Sequence, residues 1–274
     1  MISAFLNSWP LFQEAYLAAL SCGVLLGVLG VWVVARDELF LAAAVAQASV
    51  LGLALALTFE WPSSEIPAIG LSVAVAWAAG KKVSRGGLGR DEVTAWAFLL
   101  GSSLAVLVLA RSPLGMKNVQ SVLSSSILGA SPFEAGMFGL LAAGALAMVR
   151  IQRERFVLIL LDPVMASAVG LSVGAWSMAI STTLGLASGM AIRSTGLLFT
   201  FGCLVLPALV AKNLCREVRP MFWVAPLVAS SAVIIGLVLA HHFDFPPGQL
   251  VVAVLAALLV AAWVWRELRT RMEA

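Results

Sequence analysis

Three groups of residues carry side chains able to do chemistry. The first is the lone amide of Gln47, set in the otherwise small and apolar run LAAAVAQASVLGLALAL from Leu41 to Leu57. An amide oxygen is a neutral, hard donor that binds Zn²⁺ or Mn²⁺ less well than a carboxylate or an imidazole. It can line an ion's route, or it can bond across helices, which contributes about 0.6 kcal/mol in membranes. Both readings stand at this point. The second group is His241, His242 and Asp244 in AHHFDFPPGQ, ligand types that suit Zn²⁺ and Mn²⁺. Neighbouring residues on a helix point about 100° apart, and Asp ahead of a proline pair starts a turn. The stretch therefore reads as an interfacial loop that at most attracts cations. The third group surrounds Asp162 in RFVLILLDPVMASAVGLSVGAW. Asp162 stands at an N-cap position, Pro163 in the first turn and Gly170 at C′. The expected product is a helix of one to two turns, from Pro163 to about Val169, with apolar Val164, Met165 and Val169 to dock on something.

Several reactions are excluded by what is missing. Intramembrane proteolysis needs either two carboxylates deep in helices or His-Glu-x-x-His. Here Asp37, Asp91, Asp162 and Asp244 fall at segment ends or in loops, and the histidine motif does not occur. No G-x-x-x-x-G-K-[ST] is present, so the chain cannot cradle nucleotide phosphates itself. Cys22, Cys203 and Cys215 are odd in number and have no CxxC spacing, which gives neither a disulfide framework nor a zinc cluster. No catalytic residue is expected.

The elements that must position these groups lie in lipid. Of the 274 residues, 61% are hydrophobic and 11% charged, with a mean hydropathy of +1.02, whereas soluble domains carry about 25% charged residues. The hydropathy pattern predicts an all-α, polytopic membrane protein with about nine spans (eight to ten): 14–34, 39–59, 66–80, 93–110, 134–149, 173–191, 195–211, 221–240 and 248–265. The start, MISAFLNSWPLFQEAYL, lacks a basic region ahead of its apolar run and makes a poor signal peptide. Every basic residue except Arg111, Lys117 and Arg193 falls on one side of this arrangement, among them Arg150, Arg153 and Arg155 in an expected loop. The positive-inside rule then puts the N-terminus outside and the C-terminus in the cytoplasm. The basic balance has this use, and no nucleic-acid partner is expected.

Local packing signals are clear in places. Ala44, Ala48, Gly52 and Ala56 form a small-residue ridge that lets a neighbouring helix approach, and Ser49 beside it is expected to bond back to its own helix. Pro207 frees a carbonyl one turn earlier, with Thr200 and Gly202 within about two turns of it. The serine-rich MKNVQSVLSSSILGASP is too polar to span, and predicts a short outer or re-entrant helix over about 117–130.

FLAAAVAQASVLGLAL, RSTGLLFTFGCLVLPALVAKN and FDFPPGQLVVAVLAALL, in this order around DPVMASAVG, resemble the membrane permease of metal-ion ABC importers, the group that takes up zinc, manganese or iron. The matching stretches run from about Arg36 to Val264. More distantly, they resemble the siderophore and cobalamin permeases. The resemblance implies a type II importer bundle with the whole chain 1–274 as one transmembrane permease domain in a prokaryotic inner membrane. It implies a second permease copy (the same chain or a different one), an extracytoplasmic metal-binding protein, and ATPase subunits that bind the ATP, with the divalent metal ion as cargo. Residues Asp162, Pro163, Val164, Met165, Ala166, Ser167, Ala168, Val169 and Gly170 correspond to the coupling helix that inserts into the ATPase. Gln47, Ala43, Thr200, Gly202 and Pro207 become candidates for the translocation route, and His241, His242 and Asp244 for its outer mouth. In that family the second helix commonly carries an acid and, four residues on, a histidine; here those positions are Ala43 and Gln47. The departure leaves two alternatives beside a transporting permease: a diverged, non-translocating partner in a heteromeric complex, or a secondary ion-coupled carrier.

Overall fold

A computed structural model describes residues 2–80, 90–111 and 130–273, and all of its regular structure there is helical. In chain order the helices are α1 (Ile2–Ala35), α2 (Leu39–Thr58), α3 (Glu65–Gly80), α4 (Arg90–Ala110), α5 (Pro132–Leu161), α6 (Pro163–Ala168), α7 (Val173–Thr195), α8 (Leu197–Leu214), α9 (Val218–Phe243) and α10 (Pro247–Glu273). Eight are long and apolar enough to cross a bilayer. The 16 residues of α3 reach only about 24 Å at 1.5 Å per residue, short of a hydrocarbon core of about 30 Å. Counting α3, the nine expected segments each have a helix. The expected outer helix over 117–130 lies, but for Ala130, outside the described residues, as does the loop bearing Lys81, Lys82 and Arg85.

The chain divides into two compact units, each assembled from separate stretches of sequence. One holds α2, α3, α4, α6, α7 and α8 as far as Phe201. There α2 packs on α3, α4 and α7, around Ala46, Val50, Leu53, Ala54, Ala68, Ala105, Leu109 and Ile192. The ridge Ala44, Ala48, Gly52, Ala56 is buried along its whole length. At Gly52 the approach is so close that a Cβ would stand 2.3 Å from Pro67 O. Between α3 and α7, Trp77 Nε1 donates to Thr182 Oγ1 at 2.9 Å, and Arg193 pairs with Glu65.

A single residue, Gly196, joins α7 to α8. Its φ of 83° and ψ of 164° lie in a region open essentially to glycine alone. Hydroxyls staple the corner: Thr195 Oγ1 donates to Ala191 O and Thr200 Oγ1 to Gly196 O, both at 2.8 Å, with the two oxygens 3.2 Å apart. Gly196→Ala is expected to destabilise the protein by about 1–3 kcal/mol, seen as a lower melting temperature in detergent.

The other unit holds α1, α5, the remainder of α8, α9 and α10. Here α1 packs on α5 and α9, and α9 on α10. Helix α5 begins in a capping box: Ser131 Oγ accepts from Glu134 N while Glu134 Oε2 accepts from Ser131 N, and Pro132 follows the cap. It does not stop at residue 149. The helix runs on through Arg150, Arg153 and Arg155, read from sequence as loop, and bends only at Gln152 (φ −114°, ψ 22°). Packing is the reason. Phe156 sits edge-on to Trp32 at 6.0 Å and 6.4 Å from Phe222, so the apolar end of α5 docks on α1 and α9.

Candidate functional site

The short helix after α5 is built by local sequence. Residue Asp162 leaves the helical region (φ −141°, ψ 85°), which a following proline disfavours, and Pro163 opens α6. Its exit is a Schellman motif: Leu171 N donates to Ala166 O at 3.0 Å and Gly170 N to Ser167 O at 3.1 Å, with Gly170 at φ 84°. Ser167 Oγ turns back to Val164 O at 2.7 Å. Six residues thus form a stiff stub with a defined start and stop. Its faces differ. Val164 is 77% exposed, Met165 53% and Val169 56%, whereas Ala166 is fully buried. Pro163, Ser167 and Ala168 are also exposed. Exposed apolar side chains on a rigid turn suit a docking knob, because interface cores are depleted of charge.

On α2, Ala43 and Gln47 lie with Leu51 and Leu55 on a partly exposed stripe, while the residues between them are buried. The spacing of four keeps the stripe on one face. Among the described residues the Gln47 amide has no hydrogen-bond partner, so the cross-helix bond weighed from sequence is not made there. Ser49 departs from expectation. Its hydroxyl is buried without a partner instead of bonding back to α2. The carbonyl such a bond would use, Val45 O, is approached at 3.3 Å by Ser72 Oγ from α3, which also donates to Ala68 O at 2.7 Å. No sequence pattern within α2 signals a competitor on another helix.

The remaining route candidates are packed. Thr200 is 1% exposed and engaged in the Gly196 corner. Gly202 is buried, and a Cβ there would stand 2.6 Å from Val252 of α10. Pro207 is buried within α8, which continues to Leu214 across it. These three residues shape α8 more directly than they present polar groups. At the end of α9, His241, His242 and Asp244 are exposed. Asp244 takes the left-handed C-cap conformation (φ 54°), and Phe243 meets the ring of His242 edge-on at 4.8 Å and stacks on Phe245 at 6.0 Å. Among the described residues no group of three or more His, Cys, Asp or Glu is placed to hold a metal ion. Burial pushes the Cys215 thiol, just past α8, up from its ordinary value, which disfavours a ligating thiolate.

The fold and these features together define an all-helical, multi-pass membrane protein. Comparison with known proteins makes the assignment narrower. Residues 8–266 match the ABC 3 transport family, and the chain belongs to it. It is 24% identical over 262 residues to the chelated iron transport system membrane protein YfeD of Yersinia pestis, covering 96% of this chain and 88% of that one. It is 22% identical over 260 residues to the manganese transport system membrane protein MntC of Listeria innocua, covering 95% and 92%. Among solved structures it is similar to a chain of PsaBC from Streptococcus pneumoniae in complex with Fab, with a TM-score of 0.81, 19% identity, and coverage of 96% and 95%.

Proposed function

We propose that this chain is the permease subunit of an ATP-driven importer for a divalent transition metal ion, and that it hydrolyses no ATP itself. The observation that carries the reading is α6, a capped six-residue knob with exposed Val164, Met165 and Val169, in a chain with no phosphate-cradling motif. Such a chain needs an engine on another polypeptide, and the knob gives that engine something to grip. Family membership supports the same assignment, and the iron and manganese named for the relatives support the cargo class. The one-sided distribution of basic residues over the predicted spans, Arg36, Lys212, Arg219 and Arg266 among them, supports a cytoplasmic knob.

The mechanism follows from these parts. An external binding protein docks on the side bearing His241, His242 and Asp244 and releases the ion. Closure of two ATPase subunits pushes on Asp162–Gly170. That push tilts α5 and α7, the helices on either side of α6, and changes which side of the membrane the route faces. A second permease chain completes the route. Gln47 and Ala43 offer the passing ion only weak contacts, as a route from which ions must depart requires.

Proteoliposomes carrying the chain with its ATPase and binding-protein partners test this. Uptake of Mn²⁺ or Fe²⁺ should need ATP and all three components. Uptake by the chain alone, driven by an ion gradient, would instead establish a secondary carrier. In the complete system Gln47→Leu should lower uptake several-fold with the melting temperature unchanged, because the amide anchors no neighbour. Unchanged uptake would make this α2 stripe passive, as in a partner chain that does not contact the ion.

A further inference from the structure

The bend in α5 leaves a cluster that the transport reading does not use. Around Gln152 a cavity of about 490 Å³ is lined by Arg150, Ile151, Gln152, Arg153, Glu154 and Arg155. The backbone at Gln152 is non-helical, which splays side chains that an unbroken helix would distribute around its circumference. Glu154, the one acid, is already satisfied: Arg219 donates to Glu154 Oε2 at 2.7 Å and Arg153 to Glu154 Oε1 at 3.2 Å. Arg155 donates only to the neutral Gln152 Oε1, at 3.3 Å, among the described residues. Arg150 has no partner among them. The cavity is thus net positive, with two guanidinium groups uncompensated.

Its depth matters as much as its charge. From Pro132 to Val149 α5 runs about 18 residues, or roughly 27 Å at 1.5 Å per residue, close to the thickness of a hydrocarbon core. With Pro132 at the outer edge of that core, the arginines emerge at the level of lipid phosphates. Met148 and Ile151 beside them are 39% and 79% exposed, apolar surface of the kind acyl chains cover. A solvated charge run at a free helix end would lack both the bend and these apolar neighbours. Guanidinium matches phosphate oxygens in fork geometry, and basic pockets at membrane level hold anionic headgroups.

We infer that the cavity at the α5 bend is a binding site for the phosphate of an anionic lipid headgroup, with Arg150 and Arg155 as its principal contacts. Native mass spectrometry of the full chain in neutral detergent, titrated with dioleoyl phosphatidylglycerol or dioleoyl phosphatidylcholine, tests it. Phosphatidylglycerol should be retained preferentially. Arg150→Gln with Arg155→Gln should cut that retention about tenfold or more, Arg150→Lys with Arg155→Lys should recover most of it, and Arg269→Gln with Arg271→Gln, the same charge loss elsewhere, should leave it unchanged. Equal retention of the two lipids, no loss in the glutamine pair, no recovery in the lysine pair, or equal loss in the distal pair would each overturn the site. A glutamine pair that keeps its lipid but no longer co-purifies with the ATPase subunit would reassign the surface to that protein and overturn it as well.

Discussion

Val164→Asp combined with Met165→Asp is expected to abolish ATP-driven metal uptake, at least a hundredfold, while the chain remains inserted and melts normally. The two side chains are 77% and 53% exposed, so the larger part of each faces away from the protein. Their loss costs the fold little. In the complex proposed above the same side chains would fill an apolar cleft, and a carboxylate buried there without a partner costs several kcal/mol. Two such penalties exceed what a standard interface can absorb, since a few central residues carry most of its binding energy. The measurements are uptake of Mn²⁺ into proteoliposomes containing the ATPase and binding-protein partners, and co-purification of the ATPase subunit from detergent. Both should fall together. Normal uptake by the double variant would refute the knob.

The choice of those residues required the structure. From sequence, Asp162 to Gly170 form one block, and Ala166 is as good a target as Val164. In the folded chain Ala166 is fully buried, and its carbonyl accepts the Leu171 N–H that closes α6. An arginine at Ala166 would force the stub off its own unit, so failed uptake would not distinguish lost docking from local unfolding. Helix phase on so short an element cannot be read from sequence, because both faces carry apolar residues.

What was legible followed from local chemistry. Long apolar runs located nine helices, although α1, α5 and α10 each run well past the expected bounds at one end, and Pro163 with Gly170 bounded α6, because start and stop signals act on their own backbone. What was not legible depended on partners far away in sequence. Arg150, Arg153 and Arg155 looked like loop because charge is costly in lipid. The contacts of Phe156 with Trp32 and Phe222 nevertheless make continued helix the better solution. Ser49 looked self-sufficient until Ser72 of α3 was found beside Val45 O. Gln47 illustrates both sides: its spacing from Ala43 put the two on one face, but only the packing of α2 against three helices shows that this face is the one left partly open.

Gly52→Val should be the most damaging single substitution inside the α2, α3 unit. A Cβ at Gly52 would lie 2.3 Å from Pro67 O, 2.5 Å from Pro67 C and 2.6 Å from Ala68 Cα. All three are backbone atoms in the first turn of α3, two of them in a proline whose ring fixes φ, so no side chain can swing aside. Helix α3 must move away as a body, opening gaps along the buried ridge and the cluster that includes Ala46, Val50 and Ala68. Without a water-driven hydrophobic force between helices in lipid, close packing is a main source of association. Overpacking alone costs about 1–3 kcal/mol, and the lost contacts add to it. Gly70, in the adjacent α3, is the matching control, since a Cβ there meets nothing within 4 Å and alanine is the better helix former by about 1 kcal/mol. Size-exclusion profiles and melting temperatures in detergent should show Gly52→Val largely aggregated, Gly52→Ala folded but less stable, and Gly70→Ala equal to or above the parent. A Gly52→Val protein as monodisperse and heat-stable as the parent would mean that α3 does not sit against α2 at this distance. The buried ridge would then have lost its purpose.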